Sequence, residues 1–469
     1  MRFERFSIAL LCLLGGIFCE SSELIAEDKP SLEAKRLFTP PQIDGEVLAD
    51  SAWDVADKAS GFTQQRPYNG QAASQKTEVY VGYTKDTLYL GVICFDSDPD
   101  SLIVSDSGRD SSLSDVDSFT VIFDSFLDRQ NGLMFGTTPT SIEYDGQIMK
   151  EGSGRFGSGG GAVNMNWDVA WTVKSQIGDY GWSAEFAIPF RSLRYGPEEL
   201  QDWGLNFQRN IARNDETSFW VPLERQYNLY RVSEAGTLKG LRPPNQKSLK
   251  LTPYALGLSS KGGVAGNETI SEGEFGFDAK YLVTPSLTLD ATYNTDFAQV
   301  EADEVQVNLD RFSIFLPEKR PFFLENAGLF SVGAPREIEL FFSRRIGIGS
   351  GGAQQPIAGG LRLSGKVAGS TNIGLLHMQT EEINELSSNR YSVARVNLEL
   401  ENRSSLGSLL VSRDGEGKDN FNRTYAVDGR WGIGNDNTLS GFLAKTDSPD
   451  FDTDDYAGRL RFNRNTQSP

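Results

Sequence analysis

The feature that most constrains the fold is a two-residue alternation of apolar and polar side chains in the second half of the chain. It is clearest in residues 394–401 (ARVNLELE), and it returns in residues 275–281, 425–433 and 459–463. Successive side chains of a β-strand point to opposite faces, so each segment predicts a strand with one apolar and one polar face. Strands of this kind build a transmembrane β-barrel, with lipid outside and water inside. A soluble sheet with one solvated face alternates in the same way and is the alternative.

The barrel predicted for residues 249–469 is incomplete. We count about eleven candidate strands after Pro244, whereas single-chain bacterial barrels usually have an even number. The sequence finishes on residues 463–469 (NRNTQSP), without an aromatic residue that would close a last strand. We therefore expect a sheet that does not close by itself.

The first half of the chain predicts a different all-β unit. Residues 27–241 contain short candidate strands at regular spacing and no long amphipathic helix, which is typical of an antiparallel β-sandwich. Residues 78–94 form a predicted hairpin, and residues 167–173 form a later predicted strand. Residues 242–248 include two consecutive prolines, which oppose regular structure, so we place a linker there. The predicted fold class is all-β, an antiparallel sandwich followed by an incomplete transmembrane barrel.

The N-terminus predicts export. Arg2 and Arg5 precede an apolar run, Ile8–Phe18, that is too short to span a bilayer. A basic region followed by a short apolar run is typical of a secretory signal peptide, and we assign residues 1–26 to it. An exported barrel protein is expected in the outer membrane of a Gram-negative bacterium, with outer-membrane lipid as a partner.

Charge and cysteine content narrow the function further. The chain carries a net charge of −19, which disfavours a nucleic-acid partner because the phosphates would repel it. Cys94 is the only cysteine well beyond the signal peptide, so we predict no intrachain disulfide in the mature chain.

Motifs for common catalytic chemistries are weak in this sequence. Gly152–Gly157 has a dinucleotide-binding spacing, but more glycine follows instead of the helix that such a site needs, so we predict a flexible loop. His377 is the only histidine and falls on a predicted barrel strand, which argues against Ser-His-Asp catalysis and against zinc. Glycoside hydrolysis needs two facing carboxylates. Glu185, Asp117 and Asp124 lie in or beside strand segments, and no pair among them stands out.

Asp96, Asp98 and Asp100 form the metal-ligand pattern that we single out. Calcium favours carboxylate oxygens, and these three acids could gather around it. The EF-hand pattern fails because Ser101 stands in the glycine position and Ser107 in the position of the bidentate acid. A solvated acidic turn is the alternative.

Residues 296–347 interrupt the alternation. Pro317 and Pro321 each remove a backbone donor, which excludes residues 316–323 from the middle of a sheet. The charges between the prolines are Glu318, Lys319 and Arg320. We predict a segment that lies inward against the barrel wall as a constriction or latch, with these charges setting the local field. A long hairpin connection is the alternative.

The same passage carries a family resemblance. Residues 294–304, 316–325 (LPEKRPFFLE) and 341–347 resemble the signature of a bacterial family. Members of that family place a carbohydrate-binding domain of the family-9 type before an outer-membrane β-barrel. The resemblance implies this domain order for nearly all of the mature chain.

The sandwich half resembles the family-9 carbohydrate-binding modules. The resemblance rests on residues 43–45 (IDG), Trp53, residues 181–185 (GWSAE) and residues 235–238 (AGTL). It implies a β-sandwich that holds a sugar or a related cell-surface ligand, often with calcium as a stabilising ion. The chain departs from the pattern at Ser114, near which these modules have a clamp tryptophan. We predict polar and aromatic ligand contacts at Arg109, Asp117, Arg209 and Tyr227.

Together these features predict an outer-membrane protein whose sandwich binds a saccharide and presents it to the barrel. Trp167, Trp171 and Trp182 are available for stacking on a sugar, but strand alternation favours positions in the core. Two alternatives stay open. One is a glycoside hydrolase that acts in polysaccharide breakdown, and the other is a non-catalytic structural or adhesion module.

Overall fold

The computed structural model describes most of the chain after residue 28. The described residues are 29–104, 108–152, 163–261, 269–295, 318–334, 337–348, 355–383, 387–449 and 455–465. The predicted signal peptide, the glycine-rich residues 153–162, residues 296–317 and Ser107 therefore lie outside the described residues. Within the described ranges, no helix has both the length and the apolar character needed to cross a bilayer.

Strands dominate the described residues, and helical structure is limited to short turns. One α-helix is present among them, the single turn α1 (Pro321–Leu324). The 3-10 turns are Ser51–Val55, Pro99–Ser101, Lys150–Gly152, Phe190–Ser192, Ala212–Asn214, Val232–Glu234, Ala327–Leu329 and Ser343–Arg345.

The described strands before residue 242 form two sheets. They are β1 (Ser31–Glu33), β2 (Lys35–Arg36), β3 (Lys58–Ala59), β4 (Thr63–Arg66), β5 (Thr77–Tyr83), β6 (Thr87–Phe95), β7 (Ser118–Asp124), β8 (Gly132–Thr137), β9 (Tyr144–Ile148), β10 (Val163–Asn164), β11 (Thr172–Gly178), β12 (Gly181–Pro189), β13 (Gln201–Ile211), β14 (Glu216–Phe219) and β15 (Gly236–Leu241).

The two sheets pack face to face as a sandwich. The larger sheet has the order β1-β15-β13-β7-β8-β9-β10, with β14 pairing β13 and β4. The smaller sheet has the order β11-β12-β6-β5-β2, with β3 pairing β5. Neighbours are antiparallel except for β1 with β15 and β2 with β5, which are parallel. The predicted antiparallel sandwich is confirmed, and two short parallel pairs are added at its edges.

Aromatic side chains fill the space between the two sheets. Trp182 and Phe186 of β12 are fully buried. Trp171 stacks on Phe186 with ring centroids 5.6 Å apart, and it meets Phe135 edge to face at 5.2 Å. Full burial of a large apolar side chain contributes about 1.5–3 kcal/mol, so this layer stabilises the sandwich. Trp167, Trp171 and Trp182 lie in the core, as the alternation favoured.

Local predictions in the sandwich had mixed outcomes. The predicted hairpin is confirmed as β5 and β6, which pair from Thr77–Cys94 to Tyr83–Leu88. The strand predicted for residues 167–173 is wrong over most of its length, because β11 begins only at Thr172. Trp167 and Trp171 pack into the core from the chain before β11. Their spacing resembles the alternation of a strand, although this part of the chain is not one.

The described strands after residue 248 form one large sheet and one small hairpin. They are β16 (Leu249–Lys261), β17 (Thr269–Thr284), β18 (Leu287–Tyr293), β19 (Gly333–Ala334), β20 (Ile338–Glu339), β21 (Ile357–Val367), β22 (Thr371–Thr380), β23 (Arg390–Leu400), β24 (Ser404–Asp414), β25 (Phe421–Ile433), β26 (Asn437–Asp447) and β27 (Asp455–Arg464).

The large sheet has ten antiparallel strands in chain order, from β16 to β27, with β19 and β20 pairing separately. No pairing joins β16 to β27 within the described residues, so this barrel-type sheet is open at one seam. The ten strands of the large sheet are an even number, and the alternating residues around Ile338 form only the two-residue strand β20 outside that sheet.

The faces of this sheet are inverted relative to those of a soluble sheet. In β23, Val396 is 47% exposed and Leu398 is 37% exposed, whereas Arg395 is 1% exposed. Exposed apolar residues continue along the same face at Leu406 of β24 and Val427 of β25. The predicted alternation is therefore confirmed, and its apolar face is the open one.

The polar face of the sheet surrounds residues 318–334 and 337–348, which we call the inner segment. Within it, Glu325 contacts β17 and β18, the Leu329 carbonyl contacts β23 and Glu337 contacts β27. Because one short segment reaches strands from β17 to β27, the sheet curves around it.

Helix α1 anchors the inner segment. It begins at Pro321, whose fixed φ suits the first helical position. It ends before Glu325, which is extended with φ −65° and ψ 129°. Phe322 and Phe323 are buried in a cluster that includes Leu376 of β22. These two aromatic side chains hold the segment against the inner face of the sheet.

Candidate ligand-binding cavity

A polar cavity of about 740 Å³ lies where the sandwich, the inner segment and strands β25–β27 meet. The sandwich contributes Tyr227 and Arg231 to its wall, and the inner segment contributes residues 331–334. The barrel-type sheet contributes Arg430 of β25 and Arg459 of β27, among others. Three separate parts of the chain therefore have to come together before this cavity exists.

Glu151 of the sandwich ties this wall together, because three arginines contact its buried carboxylate. Arg231 Nε lies 3.2 Å from Glu151 Oε1. Arg430 donates to Oε2 at 3.0 Å, and Arg403 donates to the same oxygen at 3.4 Å. Arg231 belongs to the sandwich, whereas Arg403 and Arg430 belong to the sheet. One carboxylate therefore crosslinks the two parts.

Glu151 lies in a turn of three consecutive residues with positive φ angles. Lys150, Glu151 and Gly152 have φ angles of 50°, 58° and 66°. The left-handed region costs a non-glycine residue roughly 1–2 kcal/mol. Arg430 also donates to the Lys150 carbonyl at 3.0 Å. The arginine contacts therefore compensate for the strain that the turn stores.

Tyr227 and Arg231 connect the cavity wall to the turn between β25 and β26. The Tyr227 hydroxyl donates to the Asp436 carboxylate and lies 3.3 Å from the Asn435 carbonyl. The Arg231 guanidinium lies 4.4 Å from the centre of the Tyr227 ring. Burial and the bond to Asp436 raise the pKa of Tyr227 to about 12, so its hydroxyl stays a donor at neutral pH. Of the predicted ligand contacts, Tyr227 is the one that lines this cavity.

The cavity is positively charged although the chain is acidic overall, with a net charge of −19. Five of the described lining residues are cationic and three are acidic. The cationic residues are Lys150, Arg231, Arg430, Arg459 and Arg461, and the acidic residues are Glu151, Glu337 and Asp428. Asp428 is already engaged by both terminal nitrogens of Arg395.

A second polar junction holds the sandwich against the same end of the sheet. Lys366 of β21 donates to Asp128 of the sandwich at 2.7 Å and also pairs with Glu399 of β23. Asn131 of the sandwich donates to Glu399 at 2.9 Å. This junction and the Glu151 cluster fix the sandwich at two separate points.

Glu325 joins the sandwich, the inner segment and the sheet. The Glu325 carboxylate accepts hydrogen bonds from Arg194 Nε at 2.6 Å and from the Thr288 hydroxyl at 3.1 Å. It also accepts a hydrogen bond from Lys280. Burial opposes ionisation, but Arg194 and Lys280 outweigh it and hold the pKa of Glu325 well below its usual value of 4.5. The inner segment is therefore attached through an ionised carboxylate.

Glu318 and Arg320, which the sequence assigned to a constriction, form a closed and buried ion pair. Arg320 donates to Glu318 at 2.8 Å through Nε and at 2.7 Å through Nη2. It also donates to the carbonyls of Ser343 and Ile346 at 2.8 and 2.9 Å. Lys319 is half-buried. The pair folds the inner segment on itself, and a constriction role for the three charged residues stays a prediction.

Arg109 lies on the sandwich, away from the cavity, within reach of several carboxylates. Its acidic neighbours are Asp110, Glu143, Asp145 and Asp168. Burial raises the pKa of Asp145 to about 6, although Arg109 opposes the shift. A ligand contact at Arg109 stays a prediction.

Arg209 and Asp117 both lie inside the sandwich and are fully buried. Arg209 donates to the carbonyls of Lys76 at 2.9 Å and Phe95 at 2.8 Å. Asp117 accepts from the Ile103 amide at 2.8 Å. Asp117 Oδ1 and Arg209 Nε have no hydrogen-bond partner among the described residues. Ligand contacts at these two residues stay predictions.

Asp96, the first acid of the predicted calcium pattern, is bound by Arg213. Both oxygens of Asp96 accept from the guanidinium, at 2.6 and 2.8 Å, whereas Asp98 and Asp100 are exposed. In the part of the chain that the structure describes, no group of three or more Asp, Glu, His or Cys residues could hold a metal ion. The arrangement fits an ion pair better than a calcium site, and calcium binding stays an untested prediction.

The acids considered for glycoside hydrolysis have structural partners. Glu185 accepts from Trp53 Nε1 at 2.9 Å and from the Gly45 amide at 3.1 Å. Asp124 accepts from the Arg129 amide at 2.7 Å. Burial raises the pKa of Glu185 and raises that of Asp124 to about 8. Both carboxyl groups hold loops in place, and neither faces a wide cleft.

Sequence reasoning missed Glu151, Arg231 and Arg403. Arg430 gave a usable signal, because it falls on the polar side of an alternating segment. Glu151 lies in a non-repeating turn next to the glycine-rich residues, and its partners are more than 70 residues away in the chain. No local pattern of residues could have joined them.

Comparisons with known proteins found one family match in sequence and several similar solved structures. Residues 245–383 match the family described as a domain of unknown function, DUF5916. The structure is similar to a family 9 carbohydrate-binding module from Caldicellulosiruptor kristjanssonii in complex with cellotriose, at 16% identity and a TM-score of 0.33, covering 46% of this chain and 95% of that chain. It is also similar to Wzi, an outer-membrane protein involved in group 1 capsule assembly in Escherichia coli and described as a carbohydrate-binding β-barrel. That similarity has 10% identity and a TM-score of 0.24, and it covers 88% of this chain and 86% of that chain. No curated protein matches the chain in sequence.

Proposed function

We propose that this chain is an outer-membrane β-barrel protein that binds a saccharide in the cavity between its sandwich and its barrel. The cavity itself carries the proposal. Its volume of about 740 Å³ falls in the range of about 300–1,000 Å³ that is usual for small-molecule sites. Its wall offers guanidinium, carboxylate, amide and hydroxyl groups, which can pair with the hydroxyls of a sugar.

The inverted faces of the large sheet support the membrane location. Leu398, Leu406 and Val427 belong to one continuous set of exposed apolar side chains. Contact of such a surface with water is unfavourable by about 25 cal/mol per Å², and large exposed apolar patches mark interaction surfaces. Lipid would cover this set on every strand at once.

The lengths of the strand connections support a periplasmic position for the sandwich. The connections beside the sandwich have two or three residues: 285–286, 368–370, 401–403 and 434–436. The connections at the opposite end of the same strands are longer: 262–268, 381–389, 415–420 and 448–454. Outer-membrane barrels have short periplasmic turns and longer extracellular loops. The cavity then lies at the periplasmic mouth of the barrel.

Fractionation of a Gram-negative host tests the location. The full chain should be recovered with the outer membrane, and its electrophoretic migration should differ between heated and unheated samples. Recovery of the folded chain in the soluble periplasmic fraction would contradict the proposal.

A bulky side chain in the cavity tests the binding site. Ser440 of β26 lines the cavity, whereas Ser408 of β24 lies on the exposed face. Titration calorimetry of the detergent-solubilised full chain with a panel of neutral and acidic oligosaccharides should identify a ligand. Ser440→Trp should weaken its binding at least about tenfold, since the side chain fills ligand volume, and the matched Ser408→Trp should leave binding unchanged. Equal binding by both variants would place the ligand elsewhere.

A further inference from the structure

We infer that the saccharide held in this cavity is acidic and that its carboxylate groups bind the arginines of the cavity wall. The inference rests on the proposed saccharide-binding function and names the class of ligand. It starts from the excess of positive charge among the described residues that line the cavity.

The Glu151 cluster carries more positive charge than its own carboxylate can neutralise. Arg231, Arg403 and Arg430 share this one carboxylate. Each arginine also donates to a backbone carbonyl: Arg231 to Asn435, Arg403 to Gly434 and Arg430 to Lys150. A carbonyl oxygen satisfies a hydrogen bond but brings no net charge. The cluster is thus bonded but not neutral.

A second source of positive charge lies on β27. Arg459 pairs with Glu337 of the inner segment. Arg461 donates through Nε to Asn463 at 2.8 Å, and it forms no ion pair among the described residues. Two guanidinium groups therefore reach the cavity from β27 with one acidic partner between them.

Guanidinium groups suit carboxylates better than they suit neutral sugar hydroxyls. The planar fork of an arginine donates two parallel hydrogen bonds to a carboxylate, and such charge-assisted bonds are roughly twice as strong as neutral ones. Attraction between charges also increases where burial lowers the local dielectric, and Arg231 and Arg430 of the cavity wall are buried. Burial, together with nearby Arg395 and Arg430, holds the pKa of Lys150 below its usual value although Asp428 opposes the shift, so a further anion beside it would reduce the repulsion from the two arginines.

A matched pair of ligands separates charge from sugar shape. Trigalacturonate carries three carboxylates, and its methyl ester has the same sugar units without the charges. The full chain in detergent should bind trigalacturonate at least about tenfold more tightly than the ester by titration calorimetry. Raising the salt from about 0.1 M to about 1 M shortens the screening length from about 10 Å to about 3 Å, and should weaken binding of the acid only.

A matched pair of variants tests the contribution of the cavity wall. Arg461→Gln removes one positive charge from the cavity, and Lys418→Gln removes one from an exposed connection outside it. We expect Arg461→Gln to weaken trigalacturonate binding about fivefold and Lys418→Gln to leave it unchanged. Loss of affinity in both variants to the same degree would assign the effect to overall charge and contradict the inference.

The outcomes distinguish this inference from the proposed function. Equal binding of the acid and its ester would overturn the charge inference and leave saccharide binding intact. A second outcome would also overturn the charge inference alone. In it, the chain binds a neutral oligosaccharide, Ser440→Trp abolishes that binding, and the acidic saccharide does not bind. Failure of every saccharide to bind would reject both.

Discussion

Arg194 of the sandwich donates a 2.6 Å hydrogen bond to Glu325 of the inner segment, 131 residues further along the chain. The same carboxylate accepts from Lys280 of β17 and Thr288 of β18. The Glu325 carbonyl accepts from Arg362 of β21. One residue thereby fixes the inner segment relative to the sandwich and to three strands of the sheet. The position of the segment inside the sheet depends on this contact.

Replacement of Glu325 should destabilise the protein strongly. Glu325→Gln removes the buried carboxylate charge that Arg194 and Lys280 share, and loss of one member of a buried ion pair costs about 3–5 kcal/mol. The free energy of unfolding should fall by that amount in urea titrations of the detergent-solubilised chain. Glu337→Gln in the same segment is the control, because the Glu337 side chain is 64% exposed and such surface pairs contribute about 0–1 kcal/mol. Equal effects of both variants would show that Glu325 does not anchor the segment.

Lowering the pH should weaken the contacts of Glu325 with Arg194 and Lys280. Burial would raise the pKa of Glu325, but Arg194 and Lys280 hold it well below its usual value of 4.5. A group whose pKa is depressed in the folded state binds fewer protons there than in the unfolded state. Its contribution is therefore fully present above pH 4.5 and declines as the pH falls further. Limited proteolysis of the inner segment should speed up below this pH in the natural protein, and should depend much less on pH in Glu325→Gln.

Asp145 should give the opposite pH dependence. Burial raises its pKa from the usual 3.8 to about 6, so the folded state keeps a proton that the unfolded state has lost. Stability should fall by up to about 3 kcal/mol as the pH rises from 3.8 to about 6. Urea unfolding followed by tryptophan fluorescence can measure this, because Trp171 Nε1 donates to Asp145 at 3.3 Å. Asp145→Asn should remove the slope over this interval. An unchanged slope in the variant would assign it to another group.

The barrel-type strands were predictable because their side chains alternate between the buried polar face and the exposed apolar face of the sheet. Arg395 points toward the inner segment and Val396 points outward, so the two-residue period survives in the sequence. Strand β8 was not identified for the opposite reason. Every residue of Gly132–Thr137 is buried, and a strand covered on both faces leaves no alternation to read.

The cavity could be predicted only in part. Tyr227 was predicted as an aromatic ligand contact, and it lines the cavity. Glu151 was not proposed, because its role depends on the docking of the sheet onto the sandwich. Its contact with Arg403 spans 252 residues. The turn that presents Glu151 also places Lys150 and Glu151 at positive φ, a region that neither residue type favours.

A glycine beside Trp182 should be essential for the sandwich. Gly181 has φ 125°, and a Cβ there would clash with the Cys94 carbonyl oxygen of the neighbouring strand β6. Gly181→Ala should lower the free energy of unfolding by about 3 kcal/mol or more, since it combines backbone strain with overpacking. Gly70→Ala is the control, because Gly70 has φ 82° but nothing within 4 Å of an added Cβ. It should cost only the strain of about 1–2 kcal/mol, and equal losses in urea titrations would show that the contact with Cys94 is unimportant.

A charge on the exposed face of β23 gives the sharpest test of the membrane assignment. Val396 is 47% exposed near the middle of this strand, and Val55 of the sandwich is 48% exposed. An arginine near the bilayer midplane destabilises a barrel by about 2–4 kcal/mol, whereas a surface substitution in water usually changes stability by about 0.5 kcal/mol or less. Val396→Arg should therefore reduce the heat-modifiable, folded fraction recovered from outer membranes, and Val55→Arg should leave it unchanged. Normal assembly of Val396→Arg would mean that water, and not lipid, meets this face of the sheet.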